Sequence, residues 1–216
     1  MSKRIVVLIS GSGSNLQAIM NAIDAGQING RIEAVLSNKA EAYGLERANN
    51  AKIPAITLQH VDFDDRESFD QAMIEQIDQY KPDLIVLAGF MRILTPAFVR
   101  HYQGRLFNIH PSLLPKYKGL HTHKRAIEAG DKEHGCTVHF VTEELDGGPL
   151  AVQGKVSIDV DDNEDSLQKK VHAVEHIIYP YAVQLFCDDK LACTEQGITL
   201  DGQLLPAQGY QLEIRQ

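Results

Sequence analysis

Ile5-Val6-Val7-Leu8-Ile9-Ser10-Gly11-Ser12-Gly13-Ser14-Asn15 is the stretch whose reading decides the fold. Its first five residues form an unbroken apolar run rich in β-branched side chains, the pattern of a strand covered on both faces. Two spaced glycines follow at once. Then Leu16, Ile19, Met20 and Ile23 recur at the i, i+3, i+4, i+7 spacing of an amphipathic helix. Strand, glycine turn and helix in that order open a βαβ unit. Backbone N–H groups at a helix start attract anions, so the turn is a candidate phosphate cradle. Ser14 or Asn15 is placed to cap the helix. The lysine of a P-loop and the third glycine of a dinucleotide fingerprint are both missing from it.

The alternation continues outward from this stretch. Gly26 and Gly30 close the first helix and its loop. Residues 32–36 read as a second strand, 44–51 as a short helix and 54–58 as a third strand. Residues 66–80 carry Phe69, Met73, Ile77 and Tyr80 on one helical face. Residues 83–88 are another buried strand, with Gly89-Phe90-Met91-Arg92 as its exit loop and a short helix from Pro96. Residues 105–107 have the look of a strand end, and 123–129 of a short helix. From Cys136 the pattern changes: residues 136–141 and 150–157 read as two strands joined by the acidic, glycine-rich loop 142–149. A long helix from Glu164 carries Leu167, Val171, Val174, Ile178, Tyr181 and Leu185, with a kink expected at Pro180. Residues 191–205 resemble a hairpin around Gly197 and Asp201-Gly202. Strand–helix alternation in the first half predicts parallel βαβ units with right-handed crossovers. There is no internal repeat, low-complexity segment or linker, so residues 1–216 are expected to form one domain.

The bulk numbers bound the function. A net charge of −8, from 21 basic and 29 acidic residues, disfavours a nucleic-acid or anionic-membrane partner. An anionic substrate would have to be held by local donors. Cys136, Cys187 and Cys193 form no CxxC pair and read as reduced thiols of a cytoplasmic protein. The apolar run at residues 5–9 is too short for a signal-peptide core or a membrane span.

The chemistry is expected at Asn108-Ile109-His110-Pro111-Ser112-Leu113-Leu114-Pro115. Proline cannot continue a ladder and restrains the residue before it to extended geometry. Asn108 and His110 therefore sit on a stiff segment leaving the carboxyl edge of the sheet, where open α/β folds bind ligands. Residues two apart in extended chain share a side. One neutral amide donor and one group that titrates near neutral pH would face a single site. Asp146, in Glu143-Glu144-Leu145-Asp146-Gly147-Gly148, is the carboxylate that would favour an imidazolium if it approached His110. His121-Thr122-His123 has the look of a metal pair but lacks a third ligand at a supporting spacing. His172-Ala173-Val174-Glu175-His176 matches the H-x-x-E-H zinc pattern, a short motif in a chain with nine histidines, and no metal is expected. Residues 87–94 are unusually apolar for a strand exit, which suits either core or a pocket for a flat ring.

Six segments, with a seventh at residues 175–180, resemble the formyltransferases that use 10-formyltetrahydrofolate. They are residues 5–15, 37–47, 87–95, 108–117, 119–123 and 134–149. The pairing of Asn-Ile-His-Pro-Ser-Leu-Leu-Pro with a downstream Leu-Asp-Gly-Gly-Pro is the most specific part. The resemblance implies a single-domain, Rossmann-like α/β fold. Its sheet would be open, mostly parallel and twisted, with helices on both faces and antiparallel additions in the C-terminal part. The N-terminal half would bind the phosphate substrate, and the C-terminal half would bind folate and carry catalysis. It implies transfer of formyl from 10-formyltetrahydrofolate to the amine of phosphoribosylglycinamide, a step of purine synthesis, with no metal. By that likeness Asn108 and His110 stabilise the tetrahedral oxyanion, and Asp146 keeps His110 protonated. Gly13, Ser14 and Asn15 match the substrate-phosphate segment; His172, Ala173, Val174 and Glu175 match the segment holding the rest of that substrate. Arg66, Met91, Arg92, Ile93, Leu94 and Asn108, with Thr142, Glu143, Glu144, Leu145 and Asp146, match the folate side. Lys118 stands where the family often has Pro, and Cys136 where it often has Thr or Ser; neither is expected to touch the chemistry.

Four other readings compete. A formyltetrahydrofolate hydrolase resembles a chain with an extra domain upstream, for which a strand starting at Ile5 leaves no room. A methionyl-tRNA formyltransferase resembles one with an extra domain downstream, against an acidic chain ending at Gln216. A zinc hydrolase would use the H-x-x-E-H histidines, and a phosphate-binding protein without turnover would have no rate for His110→Ala to remove.

Overall fold

The computed structural model describes residues 2–214. It is an α/β fold, and its contacts cluster into two compact units, one ending at Asn108 and one beginning at Ile109.

The first unit is built on β1 (Lys3–Ile9), β2 (Gly30–Ser37), β3 (Ala55–Thr57) and β4 (Leu84–Leu87). Residues 106–108 of β5 (Leu106–His110) complete it. All pair in parallel, in the order β3-β2-β1-β4-β5. The chain runs from β1 outward through β2 to β3, then returns to β4 on the other side of β1. That reversal makes the carboxyl ends of β1 and β4 a topological switch point, the place where ligands enter open α/β sheets. Ile5 to Ile9 have no exposed surface, as their unbroken apolar run requires.

Four α-helices connect these strands: α1 (Ser14–Asp24), α2 (Tyr43–Asn50), α3 (Arg66–Asp78) and α4 (Pro96–His101). Neither Ser14 nor Asn15 caps α1. The cap is Gly13, at φ 69°, because the tight turn needs a left-handed residue there and places Ser14 inside the helix. At α3, Asp65 Oδ1 accepts from Ser68 N–H at 2.7 Å and Ser68 Oγ faces the Asp65 N–H at 3.4 Å, a reciprocal box that fixes the start. Phe69, Met73 and Ile77 are buried as their spacing predicts; the helix stops before Tyr80.

The second unit holds α5 (Thr122–Glu128), β6 (Glu133–Phe140), β7 (Leu150–Ser157) and α6 (Glu164–Cys187). β6 and β7 are antiparallel, with Cys136 opposite Gly154. α6 packs on β6 and β7, and at Gly154 an added Cβ would lie 2.5 Å from Val174. Leu167, Val171, Val174, Ile178 and Leu185 are buried along α6; Tyr181 is half-buried instead and lies tilted against Tyr210. Around Pro180 the buried surface widens to Tyr179, Pro180, Ala182 and Val183, so a single stripe no longer describes the helix. The expected hairpin is a three-stranded antiparallel sheet of β8 (Leu191–Thr194), β9 (Gly197–Leu200) and β10 (Gln203–Leu204). β11 (Tyr210–Leu212), absent from the sequence reading, pairs in parallel with β7. No described helix is long and apolar enough to cross a membrane.

Candidate active site

β5 does not end at Phe107. It pairs Leu87 with Asn108 and continues through His110, and Pro111, which has no N–H to give, is what stops it. Asn108 and His110 are thus members of one strand, two positions apart and on one side of it.

His110 is 6% exposed. Its Nε2 lies 2.9 Å from the carbonyl oxygen of Tyr117. A carbonyl only accepts, so Nε2 carries a hydrogen. Nδ1 lies 3.4 Å from Asp146 Oδ2. A carboxylate also only accepts, so this approach is attractive when Nδ1 is protonated too and the ring is an imidazolium. Asp146, in the acidic, glycine-rich loop 142–149, is 9% exposed, and its Oδ2 accepts from Gly119 N–H at 2.9 Å. Its backbone is left-handed, at φ 49°. Gly148 allows the turn: a Cβ there would collide with the carbonyl oxygen of Phe140. The neighbours Thr142, Glu143, Glu144 and Leu145 are exposed, so this one loop presents four side chains outward and turns one carboxylate inward.

Several parts of this arrangement are not evident from the sequence. His139 is 2% exposed, its Nε2 3.9 Å from Asp146 Oδ1. Burial holds it below the usual histidine range, and its Nδ1 faces the Phe140 carbonyl at 3.1 Å. Its position near the end of β6, just before the Asp146 loop, was the available signal. Thr137 Oγ donates to Ser112 O at 2.7 Å and accepts from Leu114 N–H at 3.1 Å, and Gln153 Nε2 donates to Leu114 O at 2.8 Å. These bonds hold the segment after Pro111. His123 and His134 form a buried pair, Nδ1 to Nε2 at 3.2 Å. Burial, then each other's proximity, pushes His134 down to about 4, and burial lowers His123 as well. Lys118 reaches Glu144 Oε1 at 2.6 Å. Glu144 is largely solvated and Lys118 partly so, and the pair contributes little energy. Cys136 packs in the core with Sγ 4.0 Å from Val171 O.

In the first unit, the Gly11–Asn15 turn is braced by α2. Gly44 N–H donates to Gly11 O at 3.0 Å, and a Cβ on Gly13 would lie 2.7 Å from Gly44 Cα. Arg47 Nε donates to Ser12 O at 2.8 Å, and Arg47 also reaches Gln17 Oε1 at 3.0 Å. A cation therefore stands at the glycine turn. The segment from Met91 to Leu94 leaves β4 with Met91 68% and Ile93 61% exposed. α3 fixes its backbone: Arg66 donates to Ile93 O at 2.8 Å, Arg92 lies 5.1 Å over the Phe69 ring, and Asp70 Oδ2 accepts from Thr95 N–H at 2.6 Å. Burial raises the Asp70 carboxyl above the usual range.

On α6, His172 Nε2 is 3.6 Å from Glu175 Oε2, and His172 stacks on His176. Glu175 and Val174 are buried, while His172 and Ala173 are exposed. Among the described residues no three His, Cys, Asp or Glu side chains stand together to hold a metal ion.

A family described as formyl transferase matches residues 3–183. The chain belongs to the formyl transferase family. Within it, the chain is 58% identical to phosphoribosylglycinamide formyltransferase of Escherichia coli K12 over 206 residues, 95% of this chain and 97% of that one. It is 47% identical to the Haemophilus influenzae protein of the same name over 96% and 98% of the two chains. A solved structure of the phosphoribosylglycinamide formyltransferase of Coxiella burnetii superposes with a TM-score of 0.95 at 50% identity, covering 99% of this chain and all of the other. The formyl transferase sheet, open and mostly parallel, is the one the strand–helix alternation predicts.

Proposed function

We propose that this chain transfers the formyl group of 10-formyltetrahydrofolate to the amine of phosphoribosylglycinamide in purine biosynthesis. The buried His110–Asp146 pair at the end of β5 carries the reading, in a chain 58% identical to a formyltransferase of that name. The amine nitrogen attacks the formyl carbon, and the carbonyl oxygen takes up negative charge in the tetrahedral intermediate. Collapse breaks the bond from that carbon to the folate nitrogen, which gains a proton while the amine loses one. Asn108 and His110 donate N–H groups to the oxyanion, and donors fixed in place before charge develops are the largest catalytic resource for such a step. The Nε2 hydrogen of His110 is engaged by Tyr117 O, so donation through that nitrogen exchanges the carbonyl for substrate oxygen. Asp146 keeps the ring cationic and assists the departing amine proton through water.

Gly13, Ser14 and Asn15 hold the phosphate, with Arg47 adding positive charge. His172, Ala173, Val174 and Glu175 hold the rest of that substrate. Folate takes Arg66, Met91, Arg92, Ile93, Leu94 and Asn108, with Thr142, Glu143, Glu144, Leu145 and Asp146. The exposed apolar side chains Met91 and Ile93 suit a flat ring. The substrates are small molecules; net charge −8 argues against a nucleic-acid partner, and the free thiols Cys136, Cys187 and Cys193 support a cytoplasmic location.

A spectrophotometric formyl-transfer assay tests the proposal, with phosphoribosylglycinamide, other amines and water compared as acceptors. The expected result is chelator-resistant transfer to phosphoribosylglycinamide with far slower release to water. Faster transfer to water, or sensitivity to chelator, overturns it.

A further inference from the structure

Three neighbouring strand exits of the first unit meet at one buried hydroxyl. Ser10 follows β1 directly, Asn38 follows β2, and Met91 lies in the exit of β4. Ser10 Oγ donates to Asn38 Oδ1 at 2.6 Å and accepts from Met91 N–H at 2.8 Å. Ser10 N–H donates to Gly89 O at 3.2 Å. Ser10 is 5% and Asn38 3% exposed. Asn38 is secured in turn by His60, whose Nδ1 lies 3.3 Å from Asn38 O and 3.5 Å from Asn38 Nδ2. The β1–β4 register runs only as far as Leu8 opposite Leu87, followed by Ala88 N–H to Leu8 O at 2.9 Å. Beyond it, Ser10 supplies both bonds that continue the connection.

We infer that Ser10 is a positioning residue that sets the phosphate turn and the folate segment relative to each other. The inference rests on the roles proposed above for Gly13–Asn15 and Met91–Leu94. The residue after Ser10 begins the glycine turn. The residue bonded to its hydroxyl begins the folate segment, with its backbone anchored inward and its side chain facing out. A shift at Ser10 moves both substrate-holding segments, whereas a shift at Arg66 or Asp70 moves the folate segment alone. Asn38 orients the hydroxyl: by taking its one hydrogen, it leaves a lone pair for Met91 N–H.

The test is steady-state kinetics of Ser10→Ala and Asn38→Ala, with KM measured for each substrate and thermal melting as the control. Ser10→Ala leaves the Met91 N–H and Asn38 Oδ1 without this partner, so both KM values should rise about tenfold, the scale of one lost buried hydrogen bond, with kcat within about threefold. Asn38→Ala keeps the hydroxyl and removes its orientation, and should raise both KM values by a smaller factor. It serves as the decisive variant if Ser10→Ala does not fold. A lowered melting temperature with both KM values unchanged, or a rise in one KM alone, overturns the inference. Absence of formyl transfer by the wild-type chain sinks the functional reading itself, which separates the two failures.

Discussion

Asp146→Asn removes a charge and little else. Asparagine has nearly the same shape, and its side-chain oxygen can still accept from Gly119 N–H, the bond that fixes the turn at 2.9 Å. On the proposed mechanism the lost interaction is the attraction between the carboxylate and an imidazolium at His110, with Nδ1 and Oδ2 3.4 Å apart. At an effective dielectric of about 20, two unit charges at that separation attract by roughly 5 kcal/mol. Removing one member of a buried pair costs about 3–5 kcal/mol, because the remaining charge is left uncompensated. Residual solvation and the amide dipole recover part of this, leaving about 3–4 kcal/mol. At about 1.4 kcal/mol per decade of rate, kcat falls by roughly 10²–10³. If, as proposed, the carboxylate acts through His110 on charge that appears in the transition state, KM for both substrates should change little. The assay is spectrophotometric formyl transfer at saturating concentrations of both substrates, alongside thermal melting. A folded Asp146→Asn protein with kcat within about threefold of wild type would refute the pairing argument.

Three further expectations follow from particular contacts. Asn108→Ala should cut kcat by roughly 10²–10³, the usual loss for one oxyanion donor, with little change in KM; single-turnover rates check this. Gly13→Ala forces a side chain into a left-handed position 2.7 Å from Gly44 Cα, and should cost roughly 2–4 kcal/mol in urea unfolding and raise KM for phosphoribosylglycinamide. Stability should depend on His134, whose folded value near 4 lies below the ordinary 6.5. Between those values the unfolded chain binds a proton that the folded chain refuses, so stability falls on acidification from pH 6.5 to 4 and this contribution levels off below 4. The slope from one such group is at most about 1.4 kcal/mol per pH unit. His134→Gln should flatten melting temperature against pH in that window; Asp162, held near 2 first by its bond to Lys170, acts only in more acid solution.

The first unit was legible because its signals are local. An apolar run, a glycine turn and a helical spacing lie next to one another at residues 5–23, and each strand–helix pair repeats the logic. Where the reading slipped, a neighbour decided. Gly13 took the cap from Ser14 and Asn15 because Gly44 packs against the turn. β5 ran past Phe107 because β4 pairs it as far as Asn108, and Pro111 follows directly on its last residue, His110. β11 has only three residues, too few for the alternation of Tyr210, Gln211 and Leu212 to stand out, and it exists as a strand because β7 offers an edge.

The chemistry divides along the same line. Asn108 and His110 announce themselves by residue type and by two prolines. Asp146 could be named as a carboxylate, but its approach to His110 bridges 36 positions that no spacing rule reaches. The groups that hold the pair are harder still: the Tyr117 carbonyl and the Gly119 N–H belong to the backbone and leave no mark on residue type. Ser10 is a serine in a turn, indistinguishable by sequence from the two serines just after it. Its role comes from Met91, 81 positions away, and Asn38, 28 away. A site of this kind is chosen by a few side chains whose chemistry is intrinsic and held by others whose contribution is positional. Substitutions in the first group should appear in kcat, and substitutions in the second in how well the substrates are placed.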